Sequence, residues 1–99
     1  MPLDAPLPQY QCTNAASDPL QLTVKVWALK IRDADFDTDG SVILRFEEVG
    51  NTYFEDKAKG AEWGNLHEPK AGGYWVQWPD GYESYSPAEA FEKGFAPVN

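Results

Sequence analysis

The stretch from Tyr74 to Gly94 constrains the fold more than any other. Tyr74-Trp75-Val76-Gln77-Trp78 is rich in residues that favour extended chain, and Pro79-Asp80-Gly81 supplies a turn with Gly at the left-handed position. Tyr82 to Tyr85 then returns as the second arm of a β-hairpin. A three-residue turn sets Tyr74, Val76, Trp78, Tyr82, Ser84 and Ser86 on one face. Trp75, Gln77, Glu83 and Tyr85 fall on the other. Ser86-Pro87-Ala88-Glu89 reads as a helix start, with Ser86 as cap, Pro87 in the first turn and Glu89 completing a capping box. Gly94 ends that helix about two turns later.

Upstream, Leu20, Leu22, Val24 and Val26 alternate, and the pattern changes phase to Trp27, Leu29 and Ile31. Such a slip within a period-two pattern predicts a bulge at Val26-Trp27. Val42, Leu44 and Phe46 form a second strand. Val49 to Thr52 looks like a turn, with Tyr53 and Phe54 returning. Asp56 to Lys70 has no clean period and reads as a long connection, with one helical turn near Lys57 to Trp63. Residues 1–19 carry Pro2, Pro6, Pro8 and Pro19 among small and polar residues, the composition of an extended arm. The division expected is a Pro-rich arm over 1–19 and a single domain over 20–99. The expected fold is α+β: a small curved antiparallel sheet, or partial barrel, of four to five strands with one short C-terminal helix packed through Phe91 and Phe95.

The segments Val26 to Ile31 and His67 to Phe95, with their Gly-Gly-Tyr, Asp-Gly-Tyr and Ser-Pro-Ala-Glu-Ala-Phe elements at Gly72, Asp80 and Ser86, resemble a family of small proteins from tailed bacteriophages and prophages. That resemblance implies a viral origin and a shared fold. It assigns no catalytic or binding residue.

Ninety-nine residues make room for one modest core, and the four Trp, five Tyr and five Phe can fill it without staples. Cys12 is the only cysteine, so neither a disulfide framework nor a cysteine-rich zinc site is available. A lone thiol and the lack of a long apolar run fit the bacterial host cytoplasm, with the virion as the alternative location, and no membrane partner. The net charge of −8 argues against direct nucleic-acid binding, which rests on clustered Lys and Arg.

Among sites, Asp35, Asp37 and Asp39 followed by Gly40 match the opening of a calcium loop, but the position of its final bidentate Glu holds Phe46. An acidic turn accounts for the same residues, so no cofactor is assigned, with calcium the one metal to test. The wider run from Asp33 to Asp56 holds eight acids against Arg45 alone. Asp35, Asp37, Glu47 and Glu48 are therefore candidate contacts for a basic partner, against the plainer reading of a solvated surface. Trp75 and Tyr85 are candidate anchors on the hairpin's second face, unless the chain covers that face itself or a second copy does so through the arm. His67 and Cys12 form no recognisable nucleophile pair, and Ser86 is better explained as a cap.

The reading is non-enzymatic: a phage accessory protein that binds a host or viral protein, first as an inhibitor of a bacterial defence or regulatory factor. The alternatives are a virion structural or assembly component and a binder of a nucleotide-like small ligand.

Overall fold

The computed structural model describes residues 7–12 and 24–98. In order along the chain they form β1 (Gln9–Cys12), β2 (Lys25–Phe36), β3 (Val42–Phe46), β4 (Lys57–Lys59), α1 (Ala61–His67), β5 (Tyr74–Gln77), β6 (Glu83–Ser86), α2 (Ala88–Gly94) and β7 (Phe95–Pro97). The protein is thus mostly β. Seven strands join in one antiparallel sheet with two seven-residue helices, which corrects the expected α+β fold of four or five strands and one helix. The additional elements are all short. β1 lies inside the stretch read as an arm, β4 and α1 inside the stretch read as a connection, and β7 directly follows α2. Residues 1–6 and 13–19 of the expected arm, and Leu20 and Leu22, fall outside the described residues.

The organising element is the twelve-residue β2, whose successive segments pair with β1, β5 and β3. In antiparallel pairing the N–H and C=O of one residue point to the same edge, and neighbours point to opposite edges. Ala28 bonds to Pro8 and Lys30 to Glu47, whereas Ile31 bonds to Gly72 and Gly73. One edge of β2 therefore carries β1 and then β3, and the opposite edge carries β5. β7 extends the sheet beyond β1, β4 beyond β3, and β6 beyond β5.

The phase change in the sequence of β2 is not a bulge at Val26-Trp27, because the pairing of β1 with β2 runs through that point in register. It marks a change in which face is covered. Val26 and Ala28 join Tyr74, Val76 and Phe91 in one core, while Leu29 and Ile31 join Val42, Leu44, Phe46 and Trp75 in a second. Adjacent residues of a strand face opposite ways, so the two cores lie on opposite sides of the sheet. The observed irregularity comes later, between Ile31 and Asp33. One extra residue there leaves Ile31 and Ala34 pointing inward together and turns β3 toward Trp75, whose ring lies 6.0 Å from that of Phe46.

Helix α2 closes the first core. Phe91 is 2% exposed, and its ring stacks on Tyr74 at 4.4 Å and on Phe95 at 4.9 Å. Tyr10 of β1 meets Phe91 edge-on at 4.9 Å, so the amino-terminal strand and the carboxy-terminal helix share one cluster. The Tyr74 hydroxyl donates to Glu92 at 2.8 Å, and burial together with that carboxylate raises the Tyr74 pKa. The expected capping box does not form. Ser86 is the last residue of β6, paired with Tyr74, and its hydroxyl reaches only the Pro87 carbonyl at 3.4 Å. The helix starts instead on the extended Pro87, whose carbonyl accepts from Phe91 N–H.

Helix α1 lies over the second core without a side-chain cap. It comes close because of Gly64, where a Cβ would collide with the carbonyl oxygen of Gly40 in the β2–β3 turn. The expected turn at Val49 to Thr52 is present as an isolated bridge between those two residues. Tyr53 and Phe54 are not strand, Tyr53 being 77% exposed, and the return to β3 is made instead by β4 at Lys57–Lys59.

Candidate functional site

The hairpin has the register anticipated: Tyr74 opposite Ser86, Trp75 opposite Tyr85, Val76 opposite Ser84 and Gln77 opposite Glu83. Gly81 has φ of 94°, the left-handed conformation that its turn requires. The second face is covered by this chain. Trp75 is 1% exposed beneath β3, and Tyr85 is half-buried against the same core, its ring over Gly73. Neither stands free as an anchor for a partner.

Around Trp75 the structure gathers a polar cluster that no sequence motif announces. The Glu83 carboxylate accepts from Lys59 Nζ at 2.7 Å and from Trp75 Nε1 at 2.9 Å. The Glu83 carbonyl accepts from Trp63 Nε1 at 3.0 Å. Lys57 lies over the Trp75 ring at 4.9 Å, and Lys59 over the Trp63 ring at 5.5 Å. Partial burial pushes the Glu83 pKa up, but the Lys59 and Trp75 hydrogen bonds and the two lysine charges outweigh it, and the net shift is downward. His67, at the end of α1, sits 4.6 Å from the Trp63 ring and 3.3 Å from the Tyr82 hydroxyl. Its pKa is lowered, mainly by burial and secondarily by Lys59. This cluster ties β4, α1, β5 and β6 together, and its polar atoms are spent on one another. The pairing of Glu83 with the face of Trp75 was readable from the hairpin register; the arrival of Lys59 and Trp63 was not.

The acidic residues lie at the opposite extreme of exposure. Asp33, Asp35, Asp37, Asp39, Glu47 and Glu48 are all exposed. Asp37 and Asp39 shape the β2–β3 turn: Asp39 accepts from both the backbone and the hydroxyl of Ser41, at 2.8 and 2.7 Å, and Asp37 accepts from Thr38 N–H at 2.7 Å. Those two bonds to Ser41 lower the Asp39 pKa. Asp35, Asp37 and Asp39 are not brought together as ligands, and among the described residues no three His, Cys, Asp or Glu side chains converge as a metal set. Asp35 instead faces Arg45 at 3.5 Å, and Arg45 also reaches Asp56 at 3.6 Å. Cys12 lies in β1 opposite Phe95.

Of the six large apolar residues exposed among the described residues, Phe36 and Ile43 lie beside these acids, and Leu66 and Tyr82 lie near His67. Sequence patterning gave no warning of Ile43, because a strand that is half-buried presents an aliphatic side chain outward only by exception. No helix among the described residues is long and apolar enough to cross a membrane.

Fold and surface together define a small antiparallel-β domain with two opposed cores. The chain matches no protein-family profile and no curated protein. Among solved structures it is similar to the NMR solution structure of the monomeric form of the phage L decoration protein, with 26% sequence identity and a TM-score of 0.62. The match covers 97% of this chain and 63% of that one, so the chain spans somewhat less than two thirds of that protein's length.

Proposed function

We propose that this chain is a virion component, a small domain that attaches to an assembled phage particle and works by binding, without catalysis. The observation that carries the reading is the structural likeness to a phage decoration protein along 97% of the chain. The likeness supports the phage origin that the C-terminal elements suggest, and it favours the virion alternative over the inhibitor of a host factor, which neither comparison nor geometry supports. The geometry suits the role. Two opposed cores hold the first and last described strands, β1 and β7, paired in a single sheet, leaving outer surfaces for contact.

The test is reconstitution. Particles of the encoding phage, assembled without this protein, are mixed with the purified chain and separated by sedimentation. Saturable co-sedimentation is expected. A chain that stays in the supernatant at all concentrations, while remaining folded, contradicts the proposal.

A further inference from the structure

The β2–β3–β4 part of the sheet has one covered side and one open side. Ala34, Val42, Leu44 and Phe46 point inward, toward Trp75 and α1. The register Asp33 opposite Arg45 and Asp35 opposite Ile43 opposite Ala58 places these five on the outer side. Nothing in the described chain packs over them: Ile43 is 40% exposed, the Asp35 side chain 63%, and Ala58 is exposed as well. Phe36, 45% exposed, pairs with Val42 and so lies by register on the covered side at the end of β2, and a depression of about 440 Å³ at that edge is lined by Phe36 and Lys59 together with Asp35, Ile43 and Ala58.

An aliphatic spot ringed by charge is the usual form of an interaction patch. Here the charge is unequal, with Arg32 paired to Asp33 at 3.0 Å as the nearest counter-ion outside the acidic run. The stretch from Asp33 to Asp56 carries eight carboxylates and the single cation Arg45, and Arg45 is already shared between Asp35 and Asp56. Acids therefore remain in excess over cations, the electrostatic complement of a basic surface. We infer that the outer face of β2–β3–β4, centred on Ile43 and Asp35, is the surface by which the chain docks on the particle, and that its partner is a protein surface bearing Lys or Arg around an apolar contact.

This inference rests on the virion reading, and one assay separates the two. Wild-type chain and variants are bound to particles lacking the protein at low and at high salt, with circular dichroism confirming that each variant is folded. Ile43→Lys and Asp35→Lys place a cation where a cationic partner must approach, and each is expected to weaken apparent affinity about tenfold or more. Ile43→Thr keeps a β-branched strand residue, removes the aliphatic contact, and is expected to weaken binding a few-fold. Glu62→Lys makes the same change of charge on α1, over the covered side, and is expected to leave affinity within about twofold, while salt weakens wild-type binding. Wild-type binding that is indifferent to salt, or that survives all three changes at Ile43 and Asp35, or that falls equally with Glu62→Lys, overturns the inference and leaves the virion reading standing. No binding by wild-type chain removes both.

Discussion

Glu83 and Asp35 are both strand carboxylates beside a basic residue, and they do opposite things. Glu83 sits where β4, α1, β5 and β6 meet, its side chain 25% exposed, with Lys59 and the Trp75 indole both donating to its Oε1. Asp35 sits on an open face, 63% exposed, with Arg45 at 3.5 Å and divided between two acids. The contrast shows that a carboxylate becomes structural when donors surround it out of water, and remains available for a partner when solvent screens its only ion pair. Within an acidic protein, the acids to examine for function are accordingly the ones the fold leaves unsettled.

The contrast is broken most violently through Trp75, which supports the Glu83 cluster from below. Trp75→Ala removes the largest fully buried side chain along with a donor to Glu83, and is expected to cost about 3 to 5 kcal/mol in urea unfolding. The close approach of α1 to the β2–β3 turn comes next. Gly64→Ala puts a methyl group against the Gly40 carbonyl and is expected to cost about 1 to 3 kcal/mol by the same measurement. Glu83→Gln keeps an acceptor for Trp75 but removes the charge facing Lys59, with an expected loss of about 1 kcal/mol at neutral pH.

That variant also sharpens the comparison through pH. The folded pKa of Glu83 lies below its ordinary value of 4.5, so its contribution is fully present above pH 4.5 and is lost as pH falls through the folded value. His67 acts in the same direction from a higher starting point: its folded pKa is below 6.5, so the unfolded chain takes up a proton first and stability begins to fall as pH drops below 6.5. Melting temperature recorded from pH 8 to pH 3 is expected to decline in two stages. Glu83→Gln flattens the lower stage, and His67→Gln flattens the upper one. The smallest effect belongs to the open face. Asp35→Asn is expected to change stability by less than about 0.5 kcal/mol, and a larger loss would place Asp35 among the structural acids with Glu83.

What could be read from the sequence follows how local its causes are. The hairpin at Pro79-Asp80-Gly81 was legible to the register because turn chemistry and alternation lie within a dozen residues, and β3 was legible from Val42, Leu44 and Phe46. β1, β4 and β7 were not. Three- and four-residue strands such as Lys57–Lys59 have no pattern long enough to detect, and they exist because a neighbouring edge is waiting to be paired. Helix α1 is read about one turn too early from sequence, near Lys57 to Trp63, because Gly64 in its middle lowers its intrinsic helicity, and packing on Gly40 and Val42 overrides that. Ser86 misled because hydrogen bonding to Tyr74 as a strand residue competes with capping. The acidic run was legible as composition. Its division into turn-shaping acids, Asp37 and Asp39, and an outward strand face around Asp35 needed the β2–β3 register.

The central claim is that the chain belongs to the particle, and quantitative mass spectrometry of density-purified virions of the encoding phage tests it most directly. The account predicts peptides of this protein in many copies per particle, in fixed ratio to the major shell protein. Virions free of it, from infected cells in which it is abundant, would contradict the account.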